Sequence, residues 1–535
     1  MTIREVTDAE VQKLTASGIW RSENLFQVLD ENAARHGERL AVADAHRRLT
    51  YREFVEQTQL LAGWLSDLRL ARGSVVAVQT RSSSLIPLMH FACDRADLTF
   101  LPLSDAWRSR EVGHLLRQSR ARVFIVPPDT KDFSYAEMIS ELRGDLPDLE
   151  VVASAEEGST GISVEEIVSR SVRFRGSPLA SPNEPRMCMV TSGTSGLPKI
   201  SLYTDNNLWY FLSTYVRTLE STGPEVFANL APANTGSTGY LFPVLTPLLF
   251  GSTCVMLEHW NPITALELME REKVNVAVAV PTQVIKLLDV ARDRQVDLAP
   301  LRAITTAGAP LAPEVAEEAE RALGCQILPM YGATDGGVPA FTTVSDPAEK
   351  RYTSVGKIIP HTEFRIATPD GSVVEDDSAG EVQWRNPIKT LGYMNDDSQT
   401  EVAFTSDGLY RSGDLGKLDD EGYLRIVGRA KDLIIRGGQN VSPREIEDIV
   451  VGMDEVVEAA VLGLSDPVYG ERVCLCVVPK GPGLTLERVA AYLQERGLPK
   501  FMIPEHFMEF SEFPLNSGGK VSKGDLRTLV LERSR

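Results

Sequence analysis

The sequence is short of everything that would tie it to a membrane. Its longest apolar stretch, "YLFPVLTPLLFG" over 240–251, contains two prolines and is too brief to span a bilayer. The opening "MTIREVTDAEVQKL" carries acids where a signal peptide would carry an apolar run, so a cytoplasmic protein without a membrane span is expected. Cysteines are few: six, at 93, 188, 254, 325, 474 and 476, with no CxxC pair. They read as reduced, buried thiols, and "CLC" at 474–476 places two sulfurs on one face of a strand, as core packing rather than metal ligation. Seven histidines form no cluster at ligand spacing, so no structural zinc site is expected. In a cytosolic chain "NVS" at 440–442 carries no glycosylation meaning. Basic residues are outnumbered, 55 against 74 acidic ones, for a net charge of −19. Such a chain has no cationic excess to displace phosphate counterions, so nucleic acid is not an expected partner, although a local basic cleft stays open. Internal repeats and low-complexity tracts are absent.

What is present is a large globular protein. The 535 residues exceed what one hydrophobic core serves, so at least two domains are expected, and 43 % hydrophobic with 24 % charged content is ordinary for folded chains. The first half alternates helical and strand-like segments: "LFQVLDENAARHG" (25–37) as helix, "SVVAVQT" (74–80) and "VFIVPPD" (123–129) as buried strands. Further on, "VNVAVAVP", "TQVIKLLDVARD", "LRAITTAGAP", "PEVAEEAERALG" and "CQILPMYG" continue the alternation through 332. This pattern predicts an α/β fold with helix-covered, mostly parallel sheets. From about 340 to 428 short strands between polar turns suit a small β-barrel-like unit. The last hundred residues read as a separate, small α+β domain: strands at 456–464, 471–479 and 506–510, helices at 484–497 and 522–533, the last with Ser522 as N-cap. The expected division is a large domain, 1–430, and a small one, 431–535, joined at the charged stretch "GRAKDLIIRGG" (428–438).

In open α/β sheets ligands sit beyond the carboxyl ends of strands. Three polar segments fall there: "TSGTSGLPK" (191–199), "TAGAP" (306–310) and "MYGATDGG" (330–337). The first follows the apolar "RMCMV" and combines close-approaching backbone, hydroxyl donors and one lysine, the chemistry of a phosphate grip, against the plainer alternative of a surface turn. In the third, a flat base could lie against Tyr331, Thr334 could meet a phosphate, and Asp335 could serve Mg²⁺ as a hard oxygen ligand, or simply occupy a turn. Asp414, in a glycine turn after a strand, can accept bonds from vicinal hydroxyls, and Arg429 can add donors. "PLNSGGKVSK" (514–523) sets Lys520 on a turn after two glycines.

In order and spacing, "TSGTSGLPK", "YGATD", "YRSGD" with "GYLRIVGRAKDLIIRGG", and "PLNSGGKVSK" resemble the adenylate-forming superfamily over nearly the whole chain, acyl-CoA synthetases above all. The Walker pattern is missing. The resemblance implies that a carboxylic acid is joined to AMP from ATP with loss of pyrophosphate, then passed to a thiol. It implies that Thr191, Ser192, Gly193, Thr194, Ser195, Gly196 and Lys199 orient the leaving phosphates. Gly308, Ala309 and Pro310 would frame adenine together with Tyr331 and Gly332. Thr334 would meet the α-phosphate, Asp335 the Mg²⁺, Asp414 the ribose hydroxyls, and Arg429 ribose or phosphate. Lys520 would bridge the carboxylate and the α-phosphate as the catalytic cation. Lys431 occupies the hinge position about which the small domain rotates, and Gly437 and Gly438 would approach the pantetheine arm, turn glycines being the alternative. Asp335 stands where glutamate is usual, Ile200 where glycine is common after the loop lysine, and Lys523 where arginine is frequent; none removes a charge.

The resemblance also places the acid pocket along "APANTGSTGY" (231–240), "TAGAP" and the residues after "YGATD". Amino-acid-activating relatives keep an aspartate in the first segment; none occurs there, so an α-amino acid is not expected, and Asn234 leaves an aryl acid open. Gly236, Ser237, Gly239, Ala307, Gly308, Gly336 and Gly337 suggest room for a bulky apolar acid, alicyclic, polycyclic, aryl or fatty, unless neighbours fill the space. Coenzyme A is the expected acceptor, a carrier protein's phosphopantetheine the second. A non-catalytic adenylate-binding protein and, more remotely, a light-emitting oxygenase are the readings from other classes.

Overall fold

The computed structural model describes residues 7–156, 161–176, 181–191, 197–374, 378–388, 390–514 and 521–533. Two expected site elements, residues 192–196 and Lys520, lie outside them.

The apolar runs read from the sequence become the centres of two sheets. A six-stranded sheet has the order Val151–Ser154, Val123–Val126, Val75–Thr80, Thr99–Ser104, Pro185–Thr191 and Lys199–Thr204, parallel except for the last strand. A nine-stranded sheet centres on six parallel strands: Gln326–Ala333, Ala303–Thr306, Val276–Ala279, Val226–Asn229, Thr253–Met256 and Leu40–Ala43. Antiparallel strands close both of its edges: Gly337–Phe341 and Lys357–Ile358 on one side, Arg48–Thr50 on the other. The segment expected to open the β unit near 340 thus joins this sheet instead, because the glycine-rich turn before it folds back as a hairpin.

Both faces of each sheet are covered, which is why the strands read as continuous apolar runs rather than alternating ones. Successive side chains divide between the faces. Val76 and Val78 of one sheet share a core with Val276 and Val278 of the other, while Val75 and Ala77, and Ala277 and Ala279, pack outward under separate helical layers. The helix Leu85–Arg95 lies between the sheets with every residue buried. Each large apolar side chain buried there contributes about 1.5–3 kcal/mol. Helix starts follow local chemistry: Thr50 with Glu53 and Thr204 with Asn207 form reciprocal caps for Tyr51–Asp67 and Asp205–Leu219.

The β unit is a four-stranded antiparallel sheet, Glu363–Ala367, Gly380–Arg385, Tyr410–Leu418 and Leu424–Arg429, around Trp384 and Tyr410. The chain leaves it through the short 3₁₀ turn Ala430–Asp432, which carries Lys431, and enters a five-stranded sheet. There the long hairpin Val456–Asp466 with Gly470–Pro479 is flanked by Ile434–Arg436, Gln439–Val441 and the parallel strand His506–Glu509. The helices Pro443–Val451, Leu486–Glu495 and Lys523–Arg533 cover it. Cys474 and Cys476 share a buried face with Phe510, Phe513, Leu526 and Val530, as core residues. Lys523 donates to Glu447 at 2.7 Å, docking the last helix.

Candidate functional site

The strand Pro185–Thr191 delivers the hydroxyl-rich loop, and the chain returns antiparallel as Lys199–Thr204, with Thr191 opposite Lys199. The loop therefore spans a hairpin, and its lysine is the first residue of a strand. The Lys199 ammonium donates to Gln399 Oε1 at 2.7 Å and stands 4.9 Å from the centre of the Tyr393 ring. The second segment, after Ala303–Thr306, keeps Ala307 buried and turns outward at Gly308 (φ +93°), leaving Ala309 and Pro310 exposed.

The third segment corrects an expectation. Residues 330–337 do not form an open loop: Gln326–Ala333 continues as strand past Tyr331, pairing Met330 with Phe341, Tyr331 with Ala340 and Ala333 with Gly337. Only 334–336 turn. A Cβ on Gly332 would lie 2.5 Å from Val338 Cγ2, so that glycine permits hairpin closure. Four aromatic side chains hold this turn. Tyr203 donates to the Thr334 carbonyl at 2.7 Å, Trp384 Nε1 to the Gly336 carbonyl at 2.8 Å, and Tyr410 and Tyr393 to the two carboxylate oxygens of Asp335, Tyr410 at 2.8 Å. Burial, and then the charge of Asp335, pushes the phenols of Tyr393 and Tyr410 well up, so both remain donors at neutral pH.

Asp414 is likewise inside a strand, Tyr410–Leu418, rather than in a turn after one, and its Cα pairs with that of Arg429 on Leu424–Arg429. Its two oxygens are shared out: Oδ1 accepts from Arg429 Nε at 3.0 Å and Oδ2 from the Tyr331 hydroxyl at 2.7 Å. A carboxylate offers about four acceptor positions, so one on each oxygen stays open to a vicinal diol. The Tyr331 phenol is raised by burial and then by Asp414. Its ring meets Trp384 edge-on at 5.9 Å. Tyr331, offered by the sequence as a base platform, and the pair Asp414 and Arg429 are thus one cluster. Tyr393, Tyr410, Trp384, Tyr203 and Gln399 were missed; only Tyr410 lay inside a quoted motif, and the others are set by tertiary contact.

Along 231–240, Asn234 is buried and donates to the Thr80 carbonyl at 3.2 Å and to Asp105 Oδ1 at 2.7 Å. Its own Oδ1 is buried without a hydrogen-bond partner among the described residues. A carboxylate therefore does reach this segment, from 129 positions away, where no local pattern could reveal it. Ser237 pairs with Thr235 at 2.9 Å. Four of the glycines read as pocket space, Gly236, Gly239, Gly336 and Gly337, are filled on their side-chain sides. A Cβ on Gly236 would lie 2.9 Å from Met187 and Pro102, on Gly239 2.3 Å from the Pro232 carbonyl, on Gly336 2.4 Å from the Tyr410 ring, and on Gly337 2.7 Å from Ile388. Their smallness serves close packing.

Gly437 and Gly438 have φ of +56° and +81°, and a Cβ on Gly438 would meet nothing within 4 Å. Within the chain their requirement is conformational, as for turn glycines. An open depression of about 710 Å³ at the opposite ends of the strands, lined by Arg302, Glu320, Cys325 and Tyr352, holds none of these groups.

Residues 29–394 match the family described as AMP-binding enzyme, and residues 445–520 match the AMP-binding enzyme C-terminal domain. The chain is 29% identical over 522 residues to a medium-chain fatty-acid–CoA ligase of Escherichia coli (strain K12), covering 96% of this chain and 92% of that protein. It is 30% identical over 530 residues to a salicylyl-CoA synthase / salicylate adenylyltransferase of Streptomyces sp, covering 96% and 95%. The crystal structure of ATP-bound MatB from Rhodopseudomonas palustris superposes with a TM-score of 0.86 at 26% identity, covering 95% of this chain and 99% of that one.

Proposed function

Because the chain belongs to the AMP-binding enzyme family, we propose that it joins a carboxylic acid to AMP at the expense of ATP and transfers the acyl group to the thiol of coenzyme A. The observation that carries this reading is the Tyr331–Asp414–Arg429 cluster beside the turn bearing Thr334 and Asp335. Asp414 keeps two acceptor positions for a ribose, Arg429 adds a cation beside it, and Thr334, whose carbonyl accepts from Tyr203, would meet the α-phosphate. Thr191 and Lys199 bracket the loop that would hold the leaving phosphates, Ser192, Gly193, Thr194, Ser195 and Gly196.

Asp335 fits Mg²⁺, which commonly binds through one carboxylate plus substrate phosphates and water: each of its oxygens accepts one phenol and retains a further lone pair. Bound with the triphosphate, Mg²⁺ would offset charge on the leaving pyrophosphate. The chain's own residues do the remainder. Two anions must meet, and Lys520 is assigned to neutralise the carboxylate and the α-phosphate as charge builds on the non-bridging oxygens. The small domain, 431–535, would pivot near Lys431, withdrawing Lys520 and presenting Gly437 and Gly438 to the thiol arm.

The acid is proposed to be apolar, not an α-amino acid, in keeping with the fatty-acid and salicylate names of the relatives. The unpartnered Asn234 Oδ1 favours an aryl acid that carries a hydroxyl or amine donor. A salicylate-type substrate makes loading of a carrier protein's phosphopantetheine the second reading. The retained Asp414, Asp335 and Lys199 argue against a non-catalytic adenylate-binding protein. ATP–pyrophosphate exchange across an acid panel, followed by each thiol and mass spectrometry, tests the whole reading. Exchange with aryl or fatty acids and a coenzyme A thioester are expected; turnover of acetate alone would overturn the apolar acid, and no exchange with any acid would overturn the enzyme.

A further inference from the structure

Asp335 is one methylene shorter than the glutamate usual in enzymes of this resemblance, yet each of its carboxylate oxygens is held by a phenol. Tyr393 donates to Oδ2, and Tyr410 to Oδ1 at 2.8 Å. Each phenol comes from a different part of the site. Tyr393 belongs to a short stretch laid against the strand Lys199–Thr204: Leu391 N donates to the Leu202 carbonyl at 3.0 Å, Leu202 N to Gly392 at 3.2 Å, and Met394 N to Ile200 at 2.8 Å. This pairs Ser201 with Tyr393. Lys199, two residues from Ser201 and on the same face, is thereby a diagonal neighbour, and its ammonium stands over the Tyr393 ring. Tyr410 opens the strand that carries Asp414 and packs its ring 4.9 Å from Trp384. The carboxylate is therefore referenced at once to the phosphate-loop lysine and to the ribose-binding strand.

We propose that Tyr393 and Tyr410 are positioning residues that fix the Asp335 carboxylate for the metal-dependent part of ATP binding. The inference rests on the proposed function. A carboxylate with one donor on each oxygen cannot rotate freely, yet it keeps acceptor capacity on both sides. A short aspartate so braced presents the metal with an orientation that a longer, unbraced glutamate would have to find at an entropic cost. Groups that orient a metal ligand commonly account for about 10–100-fold in metal affinity.

The test is calorimetric titration of ATP, without any acid, into wild type, Tyr393→Phe and Tyr410→Phe, once with excess Mg²⁺ and once with a chelator. The ratio of the two affinities isolates the metal-dependent gain. In each variant that gain is expected to fall about tenfold or more, while affinity in chelator stays near wild type because Lys199 and Asp414 are untouched. Asp335→Asn should abolish the gain and sets its floor. Equal losses with and without metal would assign the phenols to packing alone and overturn the inference, as would a gain that survives in both variants. If one variant fails to fold, the other still reads its own oxygen. Wild type that binds ATP with a metal-dependent gain and exchanges pyrophosphate, with variants that match it, sinks this inference and leaves the function standing. Wild type that binds no ATP sinks both.

Discussion

Asp414 decides much at the residue scale because it satisfies protein and is assigned substrate with the same two atoms. Arg429 and Tyr331 each occupy one position on its carboxylate. In Asp414→Ala both donors lose their acceptor and the ribose hydroxyls would lose theirs. Hydrogen bonds to charged groups are worth about 1.5–3 kcal/mol, so a rise in the KM for ATP of about 10–100-fold is expected. A variant with unchanged KM would remove Asp414 from the nucleotide site. Lys520 is a different case, being a cation assigned to the reaction itself. Lys520→Ala is expected to lower acyl-adenylate formation by about 10²–10³-fold, by analogy with the loss of one oxyanion donor, while the melting temperature holds. Near-normal pyrophosphate release from that variant would contradict the assignment.

At the scale of elements, the turn 334–336 is a three-residue tip held by four aromatic donors from four separate stretches of chain. The sequence made its chemistry legible, since Thr334 and Asp335 stand in a recognisable order after Tyr331. It did not make its backbone legible: Gly332, Gly336 and Gly337 read as loop glycines, whereas they let a hairpin close against Val338, Tyr410 and Ile388. Asp414 was misplaced for the same reason, because Gly413 looks like a turn even where antiparallel pairing with Arg429 carries the strand through it. Long periodic helices such as Pro313–Leu323 and the buried strands were legible because burial of both sheet faces writes itself as apolar runs. Contacts between distant segments, Asn234 with Asp105 or Tyr393 with Asp335, leave no local trace. The tip also yields a test. Gly336→Ala drives a methyl to 2.4 Å from the Tyr410 ring and is expected to destabilise by about 1–3 kcal/mol while weakening ATP binding. Gly144→Ala, where a Cβ meets nothing within 4 Å, should stay within about 0.5 kcal/mol by the same thermal melt. Equal melting of the two variants would show that the hairpin tip yields freely.

At the scale of the whole molecule, a buried charge cluster joins several layers of the fold. Arg186, on the strand Pro185–Thr191, donates to Asp97 Oδ1 at 3.0 Å, and its Nε lies 3.9 Å from Asp94 Oδ1, at the end of the helix between the sheets. Asp205, at the start of Asp205–Leu219, accepts from Leu25 N at 2.9 Å. Arg95 faces the neighbouring Asp30, while the Cys93 thiol and the Tyr240 phenol are raised chiefly by burial and stay neutral. Asp94 has no hydrogen-bond partner on either carboxylate oxygen among the described residues. Asp94 and Asp97 thus lie within ion-pair distance of one buried guanidinium, and the charge of Asp205 also acts on it. Burial pushes Asp205 up to about 6 against the pull of Arg186 and Leu25 N, and burial with the repulsion of Asp205 pushes Asp94 up as well. Both folded values lie above the ordinary 3.8, so between about pH 4 and 6 the folded chain keeps a proton that the unfolded chain has lost. For Asp205 the stabilisation is complete below the ordinary value and is lost as pH rises through about 6, a loss on the order of 3 kcal/mol; Asp94 acts in the same direction. Asp94→Asn removes the repulsion but keeps the shape. It is expected to raise the melting temperature at pH 7.5, by the equivalent of about 1–3 kcal/mol, and to leave it nearly unchanged at pH 4.5, where the proton is already bound. A melting temperature that falls at pH 7.5, or shifts equally at both values, would mean that Asp94 is held charged by Arg186 and that the cluster sheds no proton on unfolding.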